Sequence, residues 1–391
     1  MRRDDLEASI KEIDRLSRQL ERLCEGSQQE HQIMMQSSSA KTRVAVSMLA
    51  NVRIRALRLY RALAQSWTHS CRDPHGARLY LDYRADEHEA SKKSFAPYKI
   101  EFNVTLQTCT NPSYHTCVVE ALNIDDFEYC SNDSKSTVAF KITSDVVATT
   151  KKLDVNNMCH VLNQSGSTKP SLRLYLVENE RLCYEHASPG IADRRLSQVH
   201  DGKMVSLQHL LQDPTSRRLL QLKPRVKLAA MMASSALQLH ATPWCRKLRN
   251  ESLLFVQDVS GKVDLGHPFV ACNFDGNFDG NYNPSAASPS QAEPELLDLG
   301  ILILELWHNE TMETFARDWG VALDDTFDTR QRVARKWIAE TKDDLLTSVY
   351  DAAVRCINCR FDTVNVDLTD PTLSMSIFDG VAKPLWENCK T

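Results

Sequence analysis

Glycine is scarce in the first part of this chain of 391 residues: between Gly26 and Gly166 the only one is Gly76. A loop that wraps backbone amides around phosphates needs glycines to reach the required dihedrals, so a phosphate cradle is not expected there. Long apolar runs are also missing; none approaches the ~20 residues that span a bilayer. The opening MRRDDLEASIKEIDRL carries charge throughout and has no apolar leader core. Basic excess is absent as well. With 47 Lys and Arg against 51 Asp and Glu the net charge is −4, whereas a general nucleic-acid binder is normally basic. The 12 cysteines form no small-domain framework, so in a reducing compartment most should be buried thiols. The expectation is a cytoplasmic protein with no nucleic-acid partner. Its five N-x-S/T sites, at Asn103, Asn132, Asn163, Asn250 and Asn309, would remain unmodified.

What is present suits a globular chain: 42% hydrophobic and 25% charged residues, and enough length for two cores or one bilobal core. Leu6, Ile10, Ile13, Leu16, Leu20 and Leu23 form an apolar stripe that predicts a helix over Asp4–Gln29. Residues 4–24 could serve as an oligomerising coiled coil. Ser27–Ser39 reads as a connector. A second helix is expected over Ala40–Trp67, with Lys41, Arg43, Arg53, Arg55, Arg58 and Arg61, and with no Asp or Glu between Glu30 and Asp73. Such a helix could lie on an anionic membrane, pair with the acidic first helix, or bury its face of Val46, Leu49, Leu57 and Leu63.

Short β-like runs fill Ala77–Tyr184, among them ARLYLDYR, YKIEFNVTLQ, STVAFKIT and LRLYLVENERLCYEH. Their alternation suits an antiparallel sheet with one exposed face. A helix over Asp154–Leu162 would take Asp154 as its N-cap. Helices are then expected at Leu207–Leu211, Leu222–Leu239, Glu295–Trp307, Thr329–Thr341, Asp343–Asn358 and Leu373–Cys389. Ala271–Pro294, rich in Gly, Asn, Ser and Pro, reads as a disordered loop. Asp275, Asn277 and Asp279 alternate within it, but no Glu stands at the twelfth position of a Ca²⁺ loop. Cys356-Ile357-Asn358-Cys359 is a lone C-x-x-C, and a structural zinc site brings four ligands. No metal site is expected.

The order helix (Lys223–His240), loop (PWCRKLRNESLLFV), KVDLG and buried helix (ELLDLGILILELW) resembles the C-lobe of a protein kinase. The catalytic loop of that family reads H-R-D-L-x-x-x-N, with Asp as base and Asn on Mg²⁺. Placing Asn250 at the Asn puts Pro243, Trp244 and Cys245 at the H-R-D positions, with Lys247 at the usual Lys. A thiol is a poor base: it is uncharged below its pKa of about 8.5 and a weak acceptor. Asp264-Leu265-Gly266 resembles D-F-G, and its bland alternative is a turn. Val138-Ala139-Phe140-Lys141 resembles the V-A-I-K strand. Its lysine needs a Glu partner, yet no Glu occurs between Glu128 and Glu178, so Lys141 also reads as an ordinary strand lysine. No catalytic residue is assigned. Any surviving ATP and Mg²⁺ would be held by Lys141, Asn250 and Asp264; otherwise no cofactor is expected.

VSLQHLL, LAAMMASSALQLHATPW, LGILILELW and YDAAVRCINCRF carry a closer resemblance. They are similar to a family of filamentous-fungal proteins whose domain of unknown function resembles a degenerate protein kinase, often preceded by HeLo-like helical regions. The resemblance covers roughly Ser66–Trp386. It implies an α+β, bilobal kinase-like fold: N-terminal helices over 1–70, a small β-rich lobe over 71–190 and a helical lobe over 191–391. The function expected from it is a catalytically inactive module for protein interaction or signalling. Its alternatives are an atypical ATP-binding phosphotransferase and, through the N-terminal helices, a membrane-active cell-death effector.

Overall fold

The computed structural model describes residues 15–18, 40–67, 75–84, 100–107, 114–121, 153–155, 157–164, 172–177, 180–185, 203–244, 248–258, 261–274, 292–361, 363 and 367–390. These residues form an α+β fold built on a nine-stranded mixed sheet in the order β4-β6-β5-β3-β2-β1-β9-β8-β7. The strands are β1 (His75–Tyr80), β2 (Ile100–Gln107), β3 (Tyr114–Ala121), β4 (Leu153–Asp154), β5 (Leu172–Leu176), β6 (Leu182–Glu185), β7 (Lys203–Ser206), β8 (Leu254–Gln257) and β9 (Phe269–Phe274). Only β3 and β5 pair in parallel. Strand β2 shows why the segment is extended. Ile100, Phe102, Val104 and Leu106 are all buried, and Glu101 between the first two is exposed, the period-two pattern of a sheet face against a core.

Strand β9 corrects the loop expected over Ala271–Pro294. It pairs antiparallel with β1, setting Ala77 opposite Cys272 and Leu79 opposite Val270. Phe269, Val270 and Phe274 are buried, and the Gly- and Asn-rich bias begins only after Phe274. The remainder, with the Asp275, Asn277 and Asp279 pattern, lies outside the described residues.

Helix α1 (Ala40–Ser66) stands where the basic helix was expected. It is a core element: Leu49, Val52, Ala56, Leu59 and Leu63 are at most 1% exposed. Tyr60 meets Trp244 edge-on at 5.7 Å and Phe274 at 5.0 Å. The Trp244 indole N–H donates to the Ala56 carbonyl at 2.7 Å. The expected coiled-coil segment lies outside the described residues, apart from a helical turn at 15–18.

Helix α2 (Met158–Gln164) begins later than expected. Asp154 pairs with Cys183 in the sheet and is not a cap. Asn157 has that role, its Oδ1 accepting the His160 N–H at 3.1 Å. The remaining helices are α3 (Leu207–Gln212), α4 (Pro214–Leu219), α5 (Leu222–Leu239), α6 (Ala292–His308), α7 (Met312–Asp318), α8 (Phe327–Thr341), α9 (Thr347–Asn358), α10 (Pro371–Ile377) and α11 (Lys383–Lys390). The single helix expected over Leu373–Cys389 is interrupted by a π-helical turn at Phe378–Ala382. Pro384 has no N–H to return to residue 380, so the ladder shifts register there. One apolar cluster runs from Ala45 of α1, through the sheet, to Leu385 of α11.

Gly300 allows a close crossing of α6 and α9. A Cβ there would lie 2.6 Å from Cγ1 of Ile357 and 3.0 Å from Cβ of Cys356 on α9. Gly300→Ala is therefore expected to lower stability by about 1–3 kcal/mol, read as a fall in the urea midpoint with unchanged slope. An unchanged midpoint would show that α6 and α9 can part at little cost.

Candidate functional site

The three residues expected to hold nucleotide and metal have separate environments. Lys141 lies outside the described residues, as do Cys245 and Lys247. Asn250 is buried in the turn before β8, 5% exposed. Its amide Nδ2 donates to Oε1 of Glu305 at 2.8 Å, and its carbonyl accepts the Gln208 N–H from α3 at 3.1 Å. Asp264 lies on the exposed turn between β8 and β9. Its Oδ1 accepts the Gly266 N–H at 3.0 Å, and its Oδ2 meets Nδ1 of His267 at 2.7 Å. That is the turn reading of Asp264-Leu265-Gly266, an Asp organising the backbone two residues ahead. The His267 hydrogen bond holds the Asp264 carboxyl below its usual range, and the same bond raises His267. No hydrogen bond or ion pair joins Asn250 to Asp264.

A different cluster emerges around α6. Asp298 and Glu305 are seven residues apart, two turns, and so lie on one helix face. Asp298 takes Nε of Arg249 at 2.9 Å and Nη2 of Arg330 at 2.7 Å. Arg249 continues to Asp325 at 2.7 Å. No guanidinium bonds Glu305, which Arg330 reaches only through space. Its Oε1 accepts from Asn250 and from the Met312 N–H that begins α7, at 3.0 Å. Burial, opposed by those donors, pushes its carboxyl up to about 8. The cavity between these side chains measures about 10 Å³, room for nothing larger than a water molecule. The cluster joins α6, α7, α8 and the 249–250 turn rather than forming a ligand site.

Trp244, expected at the arginine position of H-R-D, is 2% exposed and bonded to α1. Pro243 offers its carbonyl to the Cys272 thiol at 3.2 Å. These contacts hold the loop to α1 and β9. In the C-x-x-C, Cys356 is fully buried, and burial raises the Cys359 thiol to about 11. Both suit core thiols rather than nucleophiles. Sequence reasoning missed Glu305. The available signal was a lone carboxyl inside the apolar run LGILILELW, where an unpaired ionised group is costly.

A family model described as a domain of unknown function (DUF7580) matches residues 46–391. The chain belongs to this family. A comparison with curated proteins finds no match. The DUF7580 match begins within α1, in agreement with the burial of that helix against the sheet and α5. Among the described residues, no helix is long and apolar enough to cross a membrane.

Two predictions follow from the α6 cluster. Glu305 binds its proton more tightly in the folded chain than in the unfolded one, so its contribution to stability is complete below about pH 4.5. That contribution is lost as pH rises toward about 8. Glu305→Gln keeps an acceptor oxygen for Asn250 and Met312 but cannot ionise. Denaturation across this range should show a stability decline of a few kcal/mol in the natural chain and a flatter profile in the variant; parallel profiles would refute the assignment. Asp298→Ala leaves two largely buried guanidinium groups facing each other and should cost about 3–5 kcal/mol, measured by the same denaturation at fixed pH.

Proposed function

We propose that this chain is a kinase-related module without phosphotransfer activity, working through protein contacts in a fungal cell. The C-lobe-like order of its segments supports the ancestry. Loss of chemistry is supported by Cys245 at the base position, the missing glycine loop and the missing Glu partner for Lys141. The observation that carries the reading is the buried Asn250 amide, directed at Glu305. An asparagine that coordinates Mg²⁺ must present its oxygen to an open cleft. Here the side chain is buried at the α6 cluster, and releasing it would leave Glu305 with a single donor. Asp264 is likewise engaged in its own turn.

The membrane-active alternative loses support from the placement of α1. Its apolar face lies in the core, and three of its arginines bond within the chain: Arg53 to the Leu368 carbonyl, Arg55 to the Ala121 carbonyl and Arg61 to Glu180.

A thermal-shift titration with ATP, with and without Mg²⁺, tests the proposal. A ligand that binds only the folded state raises Tm. The expected result is no Mg²⁺-dependent rise at millimolar ATP. A rise that disappears in Lys141→Ala and Asp264→Ala would overturn the reading in favour of an ATP-binding phosphotransferase.

A further inference from the structure

The end of α1, the start of β1 and the first turn of α2 converge on a thiol–imidazole pair. Cys159 stands in that first turn, and His75 opens β1 opposite Phe274 of β9. Nε2 of His75 lies 3.1 Å from Sγ of Cys159, a distance across which a proton can pass. The imidazole lies against Trp67, the residue after α1: the ring centroids are 4.2 Å apart and the planes differ by 18°. The Trp67 indole N–H is itself buried and has no hydrogen-bond partner.

What surrounds a thiol decides what it can do. Burial by itself holds a thiol protonated, as at Cys117, which it pushes up to about 12. Between described residues, the thiols of Cys117, Cys272 and Cys389 donate to backbone carbonyls and that of Cys183 to the Asp154 carboxylate. A carbonyl does not take up the proton, and a carboxylate repels the thiolate that would remain. An imidazole takes it up near neutral pH. The imidazolium formed here faces an indole ring, whose π-cloud attracts cations. In the interior its attraction to the thiolate is also stronger than in water. The pair is nearly closed to solvent, with His75 4% and Cys159 6% exposed. That limits its co-reactant to a molecule close to water in size.

We propose that Cys159 is a modification site for hydrogen peroxide, with His75 as its base. His75 takes the thiol proton. The sulfur then attacks one peroxide oxygen, the O–O bond breaks, and the departing hydroxide takes the proton from the imidazolium. Thiol and peroxide thus become sulfenic acid and water, the sulfur oxidised and the peroxide reduced. The added oxygen supplies a hydrogen-bond acceptor in a neighbourhood where the Trp67 N–H lacks one.

The test exposes the full chain, reduced beforehand, to hydrogen peroxide with dimedone, which traps sulfenic acid. Mass spectrometry follows labelling cysteine by cysteine. Cys272 and Cys389 are more exposed than Cys159, so access alone would label them first. Cys159 should instead label roughly tenfold faster than either. His75→Gln, checked for folding by circular dichroism, should bring Cys159 to their rate or below. Trp67→Phe keeps a ring against the imidazole with a weaker pull on a cation and no N–H, and should slow labelling several-fold. If Cys272 or Cys389 labels as fast as Cys159 in the natural chain, the proposal fails whatever the variants do. An unchanged or faster rate at Cys159 in folded His75→Gln overturns it as well. Should that variant not fold, an unchanged rate in Trp67→Phe has the same force.

Discussion

Helix α6 is buried on every side from Leu296 to Leu306, yet that stretch carries two carboxyl groups, Asp298 and Glu305, each at most 5% exposed. Burying a carboxylate without partners is prohibitive, and the chain meets that constraint in two ways. Asp298 is bracketed by the guanidinium groups of Arg249 and Arg330, a forked arrangement that satisfies both oxygens. Glu305 is held beside an amide and a backbone N–H, and burial favours its neutral form. Both solutions draw on the same turn, Arg249-Asn250, and so fix its position against the helix. Strand β8 starts four residues later. Its pairing with β9, and that of β9 with β1, carries the arrangement into the sheet.

The constraint also sets the surroundings of Asn250, which is 5% exposed and gives its Nδ2 to Glu305. Withdrawing the amide leaves a buried acceptor short of one donor, at a cost of about 1–3 kcal/mol. Among the described residues no three His, Cys, Asp or Glu side chains gather as a metal-binding group. Asn250 and Glu305 together tie α3, α6 and α7 to this turn.

Much of the helical half was legible because periodicity and end signals agreed. The segment Leu222–Leu239 became α5 with both ends as expected, and Thr326 caps α8 where the apolar periodicity begins. Short elements were less legible. Strand β9 begins in an apolar pair and runs into a Gly- and Asn-rich stretch, so composition over a window hid it; its pairing with β1, nearly two hundred residues earlier in the chain, is invisible to local patterning. The contacts of Asn250 and Asp264 were not legible in the sequence. A motif comparison places Asn250 and Asp264 in order along the chain, but the partners that determine their chemistry, Glu305 and His267, depend on tertiary packing and on turn geometry.

The basic helix shows the same limit from the opposite side. Six cations on one helix, in a stretch with no acid between Glu30 and Asp73, suggest a surface waiting for an anion. In the fold, the guanidinium groups of Arg53 and Arg55 reach along the helix to backbone carbonyls, Leu368 before α10 and Ala121 at the end of β3. A chain end that exposes a carbonyl needs a donor as much as a carboxylate does. Arginine, with five donors on a long apolar stem, supplies one while its stem packs against the core. Acceptors of this kind leave no mark in a charge count. The cationic excess of α1 therefore has an internal explanation, and with it the reason to seek a membrane for this helix weakens.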